Sequence, residues 1–453
     1  MRRRDKLDNK LRFASHVVAA LTAMASAISA AHAEDLLAAY RLAQASDPTI
    51  ASALYTLEGV REKIPQARAN LLPVAAITGN DGNTRADTEF TDVPPVDRNM
   101  KAWGWNLQLT QPIVRVGNVY AYKESAYVVQ QAEAQYAQAR QDLLLRVAQA
   151  YFGVIVATDA IAAADSQATA LEEQLAQVKR GLQTGTHSQT DIDDTKSRLG
   201  SARSQRVAAQ NDLESARAEL EKVTGKRIDQ VAILQAAITP PQPEPADSRA
   251  WMDQARSSNP AVQAQTAALE AAKLEIKKNR ADHLPTLDLV ANVGSNYSSH
   301  SLTTPDDFST RAKQHEVGVQ LNVPLYAGGA VNSRVREAFA NMQKTQADLE
   351  AARRQAATDA QQAYAGVTNG LAQIDALNVA VESGTSAVKG NRAGYRLGIR
   401  INIDVLNAEQ QLFTAQRDLS KARYETLLQG FKLKAAAGSL SEADLLAVNA
   451  MLR

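Results

Sequence analysis

Six histidines and no cysteine set a narrow limit on the chemistry these 453 residues can perform. Four of the histidines, His187, His283, His300 and His315, lie beyond the first 33 residues. No two of them are three or four positions apart, the spacing that puts two imidazoles on one helix face for a metal. A chain without cysteine has no disulfide, no thiolate nucleophile and no lipid-modified N-terminal cysteine. It also has no glycine-rich phosphate loop and no nucleophile motif. The residues therefore argue against catalysis and against any metal or cofactor. What remains is carboxylate chemistry at turns: Asp191 follows Gly185-Thr186-His187, and Asp404 follows Gly398-Ile399-Arg400. Asp191 also has an ordinary structural reading, as the acidic end of a capping box with Ser188.

The two aspartates are 213 residues apart, and that spacing is general. Asp47-Pro48 returns as Asn259-Pro260, Arg68 to Pro73 as Arg280 to Pro285, and Thr110-Gln111-Pro112-Ile113 as Asn322-Val323-Pro324-Leu325, all at 212. Gln149-Ala150-Tyr151 returns as Gln362-Ala363-Tyr364, and Gly185 to Asp191 as Gly398 to Asp404, at 213, so one residue was inserted between. A period of this length is far too long for a solenoid unit. It reads as a duplicated half-molecule.

The first 33 residues have the form of an export signal. Arg2, Arg3, Arg4, Lys6, Lys10 and Arg12 precede an apolar stretch from Phe13 to about Ile28, and Ala31-His32-Ala33 stands before Glu34. Without this segment the 50 basic residues fall by six and the 49 acidic residues by two, to 44 against 47, which leaves no basic excess for nucleic acid. No later stretch reaches the roughly 18 consecutive apolar residues of a spanning helix. Membrane crossing would then require a closed β-barrel.

Period-two runs support one. Trp103, Trp105, Leu107 and Leu109 alternate with Gly104, Asn106 and Gln108; Val317, Val319, Leu321 and Val323 alternate with Gly318, Gln320 and Asn322. Each run has an earlier partner, residues 74–84 and Leu287 to Tyr297, joined to it by a polar stretch (Asn83 to Asn99; Ser298 to Lys313) that reads as a long outer loop. Trp103, Trp105 and Tyr297 fit an interfacial aromatic girdle or plain packing. The same alternation fits a soluble sandwich. Four strands fall short of the roughly eight that close a barrel, so several chains would have to share one.

The remainder is long helix. Val129, Tyr136, Leu143, Ala150, Ala157, Ala164, Leu171 and Val178 recur every seven residues beside Val147, Val154, Ile161, Ala168, Leu175 and Leu182, a coiled-coil seam. The second copy shows Ala360, Val367, Ile374, Val381, Val388 and Tyr395. An unbroken helix from 118 to 183 would run roughly 100 Å and would project well beyond any bilayer. The organisation expected is a signal peptide over 1–33 and a first repeat over 34–239, with a β-hairpin at about 74–113 and a helical hairpin at about 118–225. A proline-rich linker over 240–246 leads to a second repeat over 247–438, with hairpins at about 286–325 and 330–437, and a tail over 439–453.

This order, with the stretch from Ala393-Gly394-Tyr395-Arg396-Leu397-Gly398-Ile399-Arg400 through Asp404-Val405-Leu406 to Gly438-Ser439-Leu440, resembles the TolC family of outer-membrane efflux and type I secretion channels. The resemblance implies a mainly α fold with a transmembrane β-barrel portion. Three chains of four strands would make one twelve-stranded barrel in the outer membrane, continued by a helical tunnel in the periplasm. Its far tip would meet a periplasmic adaptor and an inner-membrane ABC or proton-driven transporter, and secreted proteins or small toxic compounds would pass. It further implies that Tyr395 and Arg400 bond to Thr190 and Asp191 to hold the tip closed, and that Asp404 from three chains forms an acidic constriction ring. The family's second acidic position is here Asn407. The tip turns, Gly185-Thr186 and Gly398-Ile399, would contact the adaptor. A periplasmic adaptor or a structural coiled-coil envelope protein would explain the heptads but not two strand hairpins inside a duplication.

Overall fold

The computed structural model describes residues 34–91, 93–233, 239–304 and 306–452; the expected export signal at 1–33 lies outside them. Three short helices come first, α1 (Leu36–Ser46), α2 (Pro48–Arg61) and α3 (Lys63–Ala69). Strands β1 (Val74–Phe90) and β2 (Val93–Val114) follow, then the long helix α4 (Val116–Gln183) and its return, α5 (Gln189–Thr224). The order then recurs as α6 (Ser248–Ser258), α7 (Pro260–Ala281), β3 (Thr286–Ser298), β4 (Thr310–Asn322), α8 (Ala330–Arg396) and α9 (Asn402–Ala436). A last helix, α10 (Glu442–Asn449), closes the chain.

The duplicated Asp-Pro and Asn-Pro pairs start equivalent helices. Asp47 Oδ1 accepts the N–H groups of Thr49 (2.7 Å) and Ile50 (3.0 Å) with Pro48 at the first helical position. Asn259 Oδ1 accepts that of Ala261 (2.9 Å) before Pro260. Such caps satisfy donors the helix leaves open, and proline there forfeits no bond. The copies differ further on. α7 is continuous where α2 breaks into α3, because Pro65 has no N–H to continue the ladder and its repeat counterpart is Lys277.

Asp47 is buried and also receives Arg146 Nη1 at 2.8 Å. Burial by itself would raise its pKa, but the bonds from Arg146, Ile50 and Thr49 outweigh burial and hold the carboxyl below its usual range. A carboxyl lowered in the folded state contributes stability that is fully present above the unfolded value of about 3.9. That contribution is lost as pH falls through the lowered folded value. Asp47→Ala removes a cap worth about 1 kcal/mol and an ion pair whose half-exposed arginine limits its worth to at most about 1 kcal/mol. Asp47→Asn keeps the cap, as Asn259 does, and loses only the charge. Thermal midpoints at pH 7 and pH 3 should therefore diverge less in Asp47→Asn than in the parent. Parallel pH dependence in the two proteins would contradict this account.

The four strands make one antiparallel sheet in the order β1-β2-β3-β4, so the two repeats meet at the β2–β3 pairing. Register places Ile77, Leu107 and Val293 in one row and Ala75, Leu109, Ala291 and Val317 in the next, on the same face. The opposite face carries Asn106 beside Gly294 and Gln314, and Gln108 beside Asn292 and Glu316. Val317, Val319 and Leu321 on β4 are 78%, 62% and 63% exposed. One apolar and one polar face, with unpaired edges at β1 and β4, describe a segment of barrel wall: lipid outside, water inside, and further strands needed to close it. The expected loop from Asn83 to Asn99 is instead an extension of the hairpin. The ladder runs to Phe90 opposite Val93, with an irregularity after Thr88 beside Pro94-Pro95. Alternating polar and small residues there pair as well as apolar ones, and the two prolines fall where the ladder is interrupted.

The seam residues Leu143, Val147, Val154, Leu171 and Val178 of α4 are buried, as are Ala360, Val367 and Ile374 of α8. Among the described residues α4 is the one helix long and apolar enough by composition to cross a bilayer. Around mid-helix that apolarity is spent on packing within the protein. Leu143, Val147, Tyr151 and Ile155 pack with Leu36 and Tyr40 of α1, Leu220 of α5, Phe431 of α9 and Leu445 of α10. Tyr151 donates from this core to the carbonyls of Glu34 (2.9 Å) or Ala232 (3.0 Å), and Asn449 bonds Asp35 (2.9 Å). Both ends of the described chain are thus tied to the middle of α4.

Candidate functional site

The far ends of the two helical hairpins are built alike. Gly185 (φ +76°) and Gly398 (φ +72°) adopt the left-handed conformation. Thr186 N–H donates to Gly181 O and Ile399 N–H to Gly394 O, each at 2.9 Å, the closing bond of a Schellman cap. Nothing stands within 4 Å of where a Cβ would sit at Gly185 or Gly398, so conformation rather than space requires glycine there.

Four residues earlier the requirement is space. A Cβ on Gly181 would fall 1.7 Å from His187 Cδ2, and one on Gly394 would come 2.8 Å from Arg400 Cγ. Gly181 and Gly394 are repeat partners, and so are His187 and Arg400. Each tip folds one long side chain back over a glycine of its own helix. The 213-residue offset already pairs His187 with Arg400 in the sequence, and the structure adds that the two side chains take the same seat.

The two seated side chains have different partners. The Tyr395 ring stacks on His187 with centroids 5.3 Å apart and planes 12° from parallel, its hydroxyl 3.3 and 3.2 Å from Nδ1 and Nε2. A hydroxyl nearly equidistant from both nitrogens makes a stacking contact more than a single directed bond. Burial, and then the Asp191 carboxylate, push the Tyr395 hydroxyl up to about 12, so it remains a proton donor at neutral pH. Arg400 lies 3.8 Å from Asp404 on its own tip. Within one chain, then, Tyr395 and Arg400 meet His187 and Asp404, not the Thr190 and Asp191 that the resemblance implies. The Asp191 carboxylate is occupied by Ser188, accepting its N–H (2.9 Å) and Oγ–H (2.8 Å) in a capping box. Thr190 is exposed. Ile401 occupies the Ser188 position in the second copy, so the equivalent cap is only the Ile401 N–H to Asp404 at 3.5 Å. Asn407 accepts Arg198 Nη2 of α5 at 2.7 Å.

Behind the tips the hairpins are joined by buried polar groups that a heptad pattern does not reveal. Gln174 of α4 donates to Asn402 Oδ1 at 2.6 Å, Asn402 Nδ2 donates to Thr195 Oγ1 of α5 at 3.1 Å, and Thr195 donates to the Asp191 carbonyl at 2.7 Å. Glu409, buried, receives Arg392 at 2.7 Å. Losing Asn402 would leave the Gln174 and Thr195 side chains without that partner, at about 1–3 kcal/mol for each group left unsatisfied. Asn402→Ala should accelerate amide exchange in 170–200 relative to the rest of α4, and an unchanged exchange pattern would show that the knot does not hold the hairpins together.

The sequence profile of the family described as outer membrane efflux protein matches residues 39–226 and 251–439, one stretch in each repeat. The chain belongs to that family. Over 420 residues the channel is 32% identical to the alkaline protease secretion protein AprF of Pseudomonas aeruginosa, covering 92% of this chain and 86% of the relative. It is 30% identical over 432 residues to the outer membrane protein TolC of Escherichia coli, covering 93% and 85%. Its fold superposes on solved structures of CusC (TM-score 0.76, 17% identity, 89% and 92% covered) and of the outer membrane protein VceC of Vibrio cholerae (0.75, 18%, 89% and 96%). The channel resides in the outer membrane, with its helical hairpins forming the periplasmic tunnel, and it is a transport protein rather than an enzyme. Members of the family are trimers that work with adaptors and inner-membrane transporters.

Proposed function

We propose that three copies of this chain form the exit duct of a type I secretion system, receiving an unfolded protein from an inner-membrane ABC transporter through a periplasmic adaptor. The observation that carries the reading is the paired tip. Equivalent glycine turns place Tyr395, His187, Arg400 and Asp404 at one end of the molecule. Helices of 68 and 67 residues separate them from the sheet, so a latch can close there without touching the barrel. Protein cargo is favoured by the relatives. Two of the proteins similar to it, from P. aeruginosa and Dickeya chrysanthemi, are protease secretion proteins at 32% and 29% identity, against 26% for a probable efflux pump outer membrane protein of Pseudomonas putida.

In this reading Tyr395, Arg400, Thr190 and Asp191 form the latch together with His187, and Asp404 from each chain lines the constriction. The docking surface is the second tip more than the first. Leu397, Ile399 and Ile401 are 75%, 76% and 64% exposed, whereas Thr184, Gly185 and Thr186 are exposed without large apolar side chains beside them except Leu182. Exposed apolar side chains at a turn tip suit burial by a partner. Leu397→Asp with Ile399→Asp leaves Gly398 and its turn untouched, and should cut export at least about tenfold, the loss of roughly 1.4 kcal/mol of binding, while trimer and membrane insertion persist. Normal export would remove the second tip from the docking surface. Cargo is decided by deleting the gene: loss of a secreted protein with unchanged antibiotic sensitivity supports secretion, and the reverse pattern supports drug efflux.

A further inference from the structure

We propose that the outward rim of the barrel binds a phosphorylated lipid headgroup of the outer leaflet, using Arg311, Lys313 and Lys101 around Trp103 and Tyr297. Register sets these residues on the apolar, lipid-facing side of the sheet. Trp103 is opposite Tyr297, which is opposite Arg311, and Trp105 is opposite Ser295, which is opposite Lys313; that side continues downward as Leu107, Val293 and Leu109. The rings of Trp103 and Tyr297 lie 5.8 Å apart, and the Arg311 guanidinium carbon sits 5.8 and 5.7 Å from their centroids. Aromatic rings at the end of an apolar band mark the headgroup level.

The aromatic faces attract the guanidinium charge but supply no anion to neutralise it. Among the described residues Arg311, Lys313 and Lys101 form no ion pair. The neighbouring acids are committed or displaced: Asp97 pairs with Arg85, Asp307 with His300, and Glu316 faces the polar side opposite Asn292. Asp81 shares the outward row of Arg311 but lies three strands away, roughly 14 Å at about 4.8 Å per strand. Arg311 and Lys313 are two residues apart on β4, about 7 Å, a span suited to a headgroup bearing phosphate. Fixed cations beside lipid, with an aromatic platform and without a protein anion, call for an anion supplied by the lipid.

The inference rests on the channel lying in the outer membrane, so conductance is measured on the same preparations. Detergent-purified, delipidated trimer is titrated with nanodiscs of neutral lipid containing either a diphosphorylated glucosamine lipid or its dephosphorylated form, and separately with inorganic phosphate. With about fivefold in affinity per cation near a membrane surface, Arg311→Ala with Lys313→Ala should weaken binding of the phosphorylated lipid about 25-fold. Single-channel conductance and binding of the dephosphorylated lipid should not change. Arg311→Gln alone, a milder change, should cost about fivefold. Equal affinity in parent and variants, no preference for the phosphorylated lipid, or full competition by millimolar inorganic phosphate would each overturn the proposal. So would loss of the trimer in the double variant reproduced by Asp81→Asn, which would assign the cations to an ion pair between copies. Absence of conductance in the parent would instead count against the channel reading.

Discussion

Replacing Tyr395 by Phe, Arg400 by Ser and His187 by Ala together is expected to spring the tip open, raising single-channel conductance and admitting large antibiotics. Each chain then lacks the Tyr395 stack on His187, which joins its two hairpins, and the Arg400 charge that the proposed latch sets against Asp191; both side chains of the second tip are part-exposed. Such interactions contribute about 0–1 kcal/mol each. Threefold repetition in a trimer turns them into as much as about 6 kcal/mol, enough to move a closed state by up to about four powers of ten. The singles should therefore be mild and the triple variant severe. His187→Ala is the informative member, since a histidine that merely sat on the surface would leave conductance alone. A triple variant conducting like the parent in planar bilayers would reject the latch. Asn407 bears on the constriction in a different way. Because Asn407 accepts Arg198, Asn407→Asp should form an ion pair with that arginine and add little to cation block by Asp404. Multivalent cations should block more tightly only when Arg198→Ala accompanies it, and tighter block in Asn407→Asp alone would show the carboxylate free in the lumen.

Val317→Arg with Val319→Arg should abolish assembly in the membrane. Both residues are on the apolar face of β4, highly exposed in one chain. An arginine costs about 2–4 kcal/mol at the bilayer midplane of a barrel, so two in each of three chains sum to roughly 12–24 kcal/mol, which matches or exceeds the roughly 5–15 kcal/mol that typically holds a fold together. The helical hairpins, with cores of their own, should still fold, so the variant is expected as soluble periplasmic protein lacking heat-modifiable trimer. Gln314→Arg and Gln320→Arg, one residue out of phase and on the polar face, should assemble normally. Normal trimers from the valine variants, or failure of the glutamine variants, would mean the faces are assigned backwards.

Much of this is legible in the sequence, because it is carried by local periodicity. Alternation at 103–109 and 317–323 places apolar and polar residues on opposite faces of a strand whatever lies beside it, and a seven-residue repeat does the same for a helix. The duplication, the glycine turns at Gly185 and Gly398, and the insufficiency of four strands are likewise properties of the chain by itself. Partner choice is not. Whether Tyr395 meets Thr190 or His187 depends on the rotation of two helices about 200 residues apart, and a glycine at 181 matters only because His187 lies back across it. The Gln174–Asn402–Thr195 knot joins three helices through side chains that a heptad count treats as faults in the seam. Pairing of β2 with β3, extension of the first hairpin through Asn83 to Asn99, and the packing of α1 and α10 at mid-helix are also long-range outcomes. Local pattern determines which face a residue presents, and only the tertiary structure decides what that face meets, since the meeting of distant segments follows from how whole elements pack.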